Sequence, residues 1–133
     1  MAKSVMALDV GEKRIGVAMA DTDVKIAIPY GFIEVDGTEV AEIGNLIVSE
    51  GIKILVIGMP RNSSGEETRQ SVFVRGFAKK LELSGPKVVF QDESLTSVLA
   101  EKRLISFGKP YSKGDIDAQA ATIILQDYLE GNY

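Results

Sequence analysis

The sequence predicts an α/β fold with a mixed five-stranded sheet, in which three strands form an antiparallel meander and two are parallel, with helices on both faces. Three observations predict this architecture. Three strand-like segments follow one another within the first 35 residues. Residues 54–57 form a continuous apolar run rich in β-branched side chains, which is typical of a parallel strand buried on both faces. Helical and strand-like segments then alternate, an order that places helices on the faces of a sheet.

The strands are predicted from apolar runs bounded by turns. Residues 3–10 and 15–21 form the first two, joined by a charged turn, and residues 26–35 form the third. Pro29 interrupts the third strand, which indicates an edge, a bulge or a break, because proline cannot donate a hydrogen bond to a neighbouring strand. The last two strands are predicted at residues 53–59 and 88–90.

Four helices are predicted, over residues 38–50, 65–83, 96–106 and 115–129. The first has apolar residues at helical spacing and ends at Gly51. Ser64 and Glu67 have the spacing of a capping box and predict the start of the second. Ser94 or Thr96 can cap the third. The larger apolar side chains expected in the core include Met6, Phe73, Phe77 and Phe90.

The length, composition and charge of the chain exclude several classes of protein and of active site. A chain of 133 residues predicts a single domain, residues 1–133. It has no cysteine and no histidine, which excludes thiol nucleophiles, Ser-His-Asp triads and zinc held by these residues. No run is long enough to span a membrane and the N-terminus lacks a signal-peptide layout, so we expect a cytoplasmic protein without membrane contact. The net charge of −4 is unlike that of most nucleic-acid binders, although basic residues can cluster locally.

Asp9 is the first candidate site residue. It ends the first apolar run, and Gly11 follows two positions later. A carboxylate on a buried strand is costly unless it is paired. By itself this pattern also fits an aspartate that hydrogen-bonds the following turn.

Glu93 and Asp117 are the second and third candidates. Glu93 and its neighbour Asp92 follow the fifth strand and point to opposite faces, so either one could meet Asp9. Asp117 and Asp115 both lie near the start of the last helix, where acids are stabilised by the helix dipole. Because no histidine or cysteine is present, three carboxylates from distant segments would suit one or two Mg²⁺ or Mn²⁺ ions.

Polar and basic residues near these acids are candidates for substrate binding. Each of these residues could instead be a solvated turn residue or a helix cap. The loop after the fourth strand lies where open α/β sheets bind ligands. The candidates are Lys13, Arg14, Arg61, Thr96 and Lys113.

Four short stretches together carry a family resemblance. They are residues 8–11 with 15–18, residues 58–60 with Gly65, residues 92–93 with 95–96, and residues 113–114 with 116–118. Because all four stretches occur in this order and at this chain length, the sequence resembles those of proteins with the ribonuclease H-like fold. Among them it resembles the YqgF (RuvX) family of Holliday-junction-resolvase-like proteins and pre-ribosomal-RNA nucleases. Two positions depart from the family pattern: Ser94 replaces the usual arginine and Leu99 a common glutamate.

The resemblance selects Glu93 over Asp92 and Asp117 over Asp115 as metal ligands and catalytic residues beside Asp9. It implies a Mg²⁺- or Mn²⁺-dependent nuclease acting on nucleic acid. The expected substrate is structured RNA, in 5′-end maturation of pre-16S ribosomal RNA, with branched DNA as the alternative. We expect a monomer or a weak dimer.

Three other functions are consistent with the sequence. A Holliday junction resolvase would act as a dimer, because a four-way junction is cut at two sites. A non-catalytic nucleic-acid-binding module would fit the departure at Ser94. A phosphotransferase of the actin and sugar-kinase type shares the spacing of Asp9 and Gly11, but it needs two such domains.

Overall fold

The computed structural model describes residues 2–60, 68–93 and 96–133. Five strands form one sheet in the order β3-β2-β1-β4-β5. The strands are β1 Ser4–Val10, β2 Arg14–Asp21, β3 Ile28–Glu34, β4 Ile52–Pro60 and β5 Lys87–Glu93. Strands β1, β2 and β3 form the antiparallel meander, while β1, β4 and β5 are parallel to one another. The predicted mixed sheet is confirmed.

Four helices within the described ranges cover the sheet. They are α1 Glu39–Ser49, α2 Arg69–Glu82, α3 Thr96–Ser106 and α4 Lys113–Asn132. Residues of α1 and α2 pack on one face, against Met6 and Leu8 of β1. Residues of α4 pack on the opposite face, against Val5 and Ala7. Because successive side chains of a strand alternate between faces, Asp9 lies on the α4 face with Val5 and Ala7.

The edge strand β3 confirms the interpretation of Pro29. This strand pairs with β2, and the register shifts between Val17 and Ala18, where Pro29 is opposite Ala18. A proline is tolerated at such a place because the ladder is already interrupted there.

Helix α4 begins earlier than predicted. Ser112 is its N-cap: the Ser112 hydroxyl accepts a hydrogen bond from the Asp115 N–H at 3.2 Å, and the Asp115 carboxylate accepts one from the Ser112 N–H at 2.9 Å. Asp115 is therefore the third helical residue rather than the cap. Lys113 and Gly114 belong to the first turn, and Asp117 follows in the second.

The predicted start of α2 was also wrong. Thr68 has an extended backbone and caps the helix, with Ser71 completing the capping box. The predicted cap, Ser64 with Glu67, lies outside the described residues. Within the described parts of the chain, no helix has the length and apolar character needed to cross a membrane.

The core prediction was right for two of four side chains. Met6 and Phe77 are buried, but Phe73 and Phe90 are 45% and 43% exposed. Phe90 belongs to β5, the other edge of the sheet, where the core thins. The Arg75 guanidinium covers its ring at 5.8 Å from the centroid.

Candidate active site

Asp9 and Glu93 meet at one edge of the sheet. Strands β1, β4 and β5 are parallel, so their carboxyl ends lie at the same edge. Asp9 lies near the end of β1, and Glu93 ends β5 opposite Pro60 of β4. Although β4 separates them, the two carboxyl groups share a hydrogen bond. The structure thus brings together two acids that are 84 positions apart in the sequence.

Gly58 of β4 makes this approach possible. It lies on the same sheet face as Asp9, between the two acids. A methyl group at this position would be 2.7 Å from Glu93 Oε2 and 2.7 Å from Ile124 Cδ1. Both distances are shorter than ordinary van der Waals contact, so the absence of a side chain leaves space for the Glu93 carboxylate.

Asp117 reaches the site because α4 rests directly on β2. Gly16 is the ladder partner of Asp9. A side chain at Gly16 would collide with the backbone carbonyl of Asp117. A side chain at Gly114, in the first turn of α4, would collide with the ring of Phe32. These close contacts hold the start of α4 over the carboxylate edge of the sheet.

The electrostatics of the acids follow from this crowding. Burial raises the pKa of Asp9 to about 7, and the negative charges of Glu93 and Asp117 add to the effect. Burial also raises the pKa of Glu93, opposed by hydrogen bonds from Thr96 and Asp9. Near pH 7 Asp9 is therefore only partly ionised, and a divalent cation could replace the proton that remains.

Arg14 holds the third acid. Its Nε lies 2.6 Å from Asp117 Oδ2, and the two side chains are 29% and 22% exposed. Within the described ranges, no three acidic side chains approach closely enough to hold an ion as they stand. All three acids offer oxygen donors, the ligand type that Mg²⁺ and Mn²⁺ prefer. The chemistry of the donors therefore fits such an ion.

The remaining predicted residues were candidates for substrate binding, and Thr96 contacts one of the acids. The Thr96 hydroxyl donates a hydrogen bond to Glu93 Oε2 at 3.4 Å, so Thr96 orients a candidate ligand. Lys13 is exposed at the hairpin tip beside Arg14, and Lys113 is exposed in the first turn of α4. Arg61 lies outside the described residues.

Gln70 is a residue that the sequence analysis missed. Its Nε2 donates a hydrogen bond to the carbonyl oxygen of Val10 at 3.0 Å. This contact ties the first turn of α2 to the end of β1, next to Asp9. It joins residues 60 positions apart, so no local sequence pattern could have indicated it.

An apolar cavity lies away from these acids. It has a volume of about 510 Å³, and its lining includes Ser4, Tyr30 and Ile52. Ser4 and Ile52 begin their strands, so the cavity is at the opposite end of the sheet. The acids lie instead at the carboxyl ends of the strands, where open α/β sheets bind ligands.

Comparisons with known proteins agree with this fold. The model of the RuvX family, described as "Holliday junction resolvase", matches residues 3–131. A relative from Chloroflexus aurantiacus, named "Putative pre-16S rRNA nuclease", is 46% identical over 95% of this chain and 86% of its own length. A relative of the same name from Shewanella oneidensis is 36% identical over 99% of this chain and 97% of its own length.

Two solved structures share the architecture. RuvC of Thermus thermophilus, in complex with a Holliday junction substrate, has a TM-score of 0.61 at 13% identity, covering 97% of this chain and 94% of its own. The fowlpox virus Holliday junction resolvase has a TM-score of 0.63 at 11% identity, covering 98% and 99%. At such low identity these likenesses show the fold, which is ribonuclease H-like. The family match and the relatives above show that this chain belongs to the RuvX (YqgF) family.

Proposed function

We propose that this protein is a metal-dependent nuclease that hydrolyses phosphodiester bonds in structured RNA, and that it acts in 5′-end maturation of pre-16S ribosomal RNA. The names of the curated relatives support the RNA substrate. The observation that carries the catalytic proposal is the Asp9–Glu93 pair beside Asp117, at the carboxyl edge of the sheet. Such a role would place the protein, acting as one domain, in the cytoplasm.

Asp9, Glu93 and Asp117 would hold one or two Mg²⁺ or Mn²⁺ ions. A bound divalent cation lowers the pKa of a water molecule and stabilises the charge that develops on the phosphate and the leaving oxygen. This chemistry needs no histidine base, in keeping with the composition. The raised pKa of Asp9 supports the assignment, because a carboxylate that is buried and has two further acids near it is stabilised by a compensating positive charge.

The other residues of the site would position the acids and the substrate. Thr96 would orient Glu93 through its hydroxyl. Lys13, Arg14 and Lys113, together with Arg61, would contact backbone phosphates, which position a nucleic acid without reading its sequence.

The test is cleavage of three labelled substrates: pre-16S ribosomal RNA, linear single-stranded RNA and a four-way DNA junction. Each is incubated with Mg²⁺, Mn²⁺ or EDTA. We expect RNA cleavage that EDTA abolishes and that Asp9→Asn and Glu93→Gln reduce by at least about 100-fold. Asp92→Asn, which changes the exposed acid next to Glu93, is the matched control and should cleave normally. Full activity of Asp9→Asn would contradict the proposed site.

A Holliday junction resolvase is the second candidate. The RuvC fold and the family description favour it. It would require two sites acting together, and therefore a dimer. Cleavage of the DNA junction by a dimer seen in sedimentation analysis would support the resolvase, whereas junction cleavage by a monomer would not. Mn²⁺ binding without cleavage of any substrate would instead indicate a non-catalytic binding module.

A further inference from the structure

The ion pair between Arg14 and Asp117 joins two parts of the candidate site. Arg14 begins β2 at the carboxyl edge of the sheet, and Asp117 lies 103 positions later in α4. Their 2.6 Å contact uses Oδ2 of the carboxylate through which Asp117 would bind a cation in the proposed site. Asp9 and Glu93 share a hydrogen bond with each other, whereas Asp117 is held by the Arg14 guanidinium.

An arginine and a divalent cation cannot both use one carboxylate at full strength. The guanidinium stays protonated at any physiological pH, so it does not lose its charge when a cation approaches. Two positive charges on the same carboxylate repel each other, and the site is only partly exposed to the water that would screen them. The contact with Arg14 therefore opposes binding of the ion through Asp117.

We infer that Arg14 competes with the divalent cation for Asp117, and that cation binding transfers Arg14 to a phosphate of the substrate. This inference rests on the metal site of the proposed function. A guanidinium is well suited to the transfer, because it binds carboxylate and phosphate oxygens with similar paired hydrogen bonds. Its position next to the exposed Lys13 places it on the same hairpin tip as another candidate phosphate contact.

The hairpin does not depend on the Arg14 side chain. The Gly11 N–H donates a hydrogen bond to the Arg14 carbonyl oxygen at 3.1 Å, and the Val35 N–H donates one to the Lys13 carbonyl oxygen at 2.9 Å. These bonds use backbone atoms only. Removing the Arg14 guanidinium should therefore free Asp117 while leaving the backbone of the turn in place.

The test measures Mn²⁺ affinity by calorimetric titration of the full chain without nucleic acid. Lys13→Gln is the matched control, because it removes the same charge one residue away from the ion pair. We expect Arg14→Gln to bind Mn²⁺ roughly two- to fivefold more tightly than Lys13→Gln, the scale of a partly exposed ion pair. Arg14→Lys, which keeps the charge but loses the guanidinium, should lie between wild type and Arg14→Gln. If Arg14→Gln fails to fold, the Mn²⁺ affinity of Arg14→Lys is compared with that of wild type instead.

A second background shows whether Asp117 mediates the effect. In the Asp117→Asn background, Arg14 has no carboxylate at position 117 to pair with. Adding Arg14→Gln or Lys13→Gln to this background should therefore give equal Mn²⁺ affinities. Arg14→Gln should also weaken RNA binding in the presence of Mn²⁺, because the released guanidinium is no longer there to bind phosphate.

The outcomes separate this inference from the proposed function. If wild type binds Mn²⁺ through Asp9, but Arg14→Gln binds it no more tightly than Lys13→Gln, the competition is refuted and the metal site stands. If wild type binds no Mn²⁺, or if Asp9→Asn binds it equally well, the metal site is refuted and the competition falls with it.

Discussion

Two glycines determine how closely the three acids approach one another. Gly58 leaves space for the Glu93 carboxylate across β4, and Gly16 lets the backbone of Asp117 rest on β2. A side chain at either position would separate the acids while leaving every one of them in the sequence. The geometry of the candidate site therefore depends on residues that supply no chemistry of their own.

Gly58→Ala tests this dependence. The added methyl group would push the Glu93 carboxylate and Ile124 apart, so we expect Mn²⁺ affinity and RNA cleavage to fall by about 10- to 100-fold, as for other residues that support metal ligands. Overpacking should also destabilise the fold by about 1–3 kcal/mol. Calorimetric titration and urea unfolding measure the two effects separately.

Gly76→Ala is the control for the same chemical change. Gly76 lies in the middle of α2, and an added methyl group there would meet nothing within 4 Å. We expect unchanged Mn²⁺ affinity and a gain in stability of up to about 1 kcal/mol, because alanine favours the helix.

A second variant tests the cause of the loss in Gly58→Ala. Adding Glu93→Asp, which shortens the acid, should restore part of the lost Mn²⁺ affinity. No recovery would mean that contact with Glu93 is not the cause.

The raised pKa of Asp9 predicts an unusual pH dependence of stability. Its value rises from the ordinary 3.8 to about 7 on folding, so between these values the folded protein binds more protons than the unfolded chain. In EDTA, the contribution of Asp9 to the free energy of unfolding is greatest below about pH 4 and is lost as the pH rises towards 7. Asp9→Asn should remove this loss, making the variant more stable than wild type at pH 8. Urea unfolding at pH 5 and pH 8 measures the difference, and an equal pH response in both proteins would contradict it.

The sequence predicted the three acids, and the contacts between them required the structure. Strand and helix ends indicated Asp9, one of the pair Asp92 and Glu93, and one of the pair Asp115 and Asp117, and the family resemblance then selected Glu93 and Asp117. Local pattern could not choose Glu93 over Asp92, since that choice depends on which face of β5 meets the space above Gly58. The Arg14–Asp117 contact was missed for a similar reason: it joins segments that only the packing of α4 on the sheet brings together.

At the scale of elements, α4 positions both the site and one layer of the core. Its N-terminus is fixed by the Ser112 cap, and its inner face packs against Val5 and Ala7 of β1. The sequence prediction placed the start two residues too late, because Asp115 is also a good capping residue. In the structure, Ser112 takes the cap and Asp115 completes the box, so both polar groups are used.

Ser112→Ala tests the importance of this cap. Loss of the hydroxyl that accepts from the Asp115 N–H should lower the free energy of unfolding by about 1 kcal/mol. Ser49→Ala changes a serine at the other end of a helix, where the hydroxyl donates to the Leu46 carbonyl oxygen at 3.3 Å, and should cost less. Chemical denaturation compares the two variants. Equal losses would show that the cap has no special role.

At the scale of the whole molecule, the two ends of the sheet differ in character. The carboxyl edge holds the acids with Lys13, Arg14 and Lys113 around them, while the opposite edge holds the apolar cavity lined by β3 and neighbouring segments. The fold class was predictable because the meander and the alternation of helices and strands can be recognised in the sequence, whereas the strand order required the structure. The net charge of −4 is a sum over the whole chain and is compatible with basic side chains at this one edge.

This charge distribution predicts a modest salt dependence of RNA binding. With about three phosphate contacts from the described cations, the slope of log affinity against log salt should be roughly −2 for single-stranded RNA. Lys113→Gln should make the slope less steep by about 0.7 units. Lys53→Gln, at the opposite edge near the start of β4, should leave it unchanged. Binding titrations at several salt concentrations compare the variants, and equal slopes would exclude Lys113 from the interface.

The last element of the chain completes a site that the first element begins. Asp9 is supplied by β1, but Asp117 and the layer that covers it belong to α4, the 20-residue helix near the C-terminus. Asp117 comes near Asp9 only when α4 packs on β2, so the candidate site forms together with the tertiary fold. A partly folded chain in which α4 is undocked could keep Asp9 and Glu93 on one sheet, but it would lack Asp117 beside them.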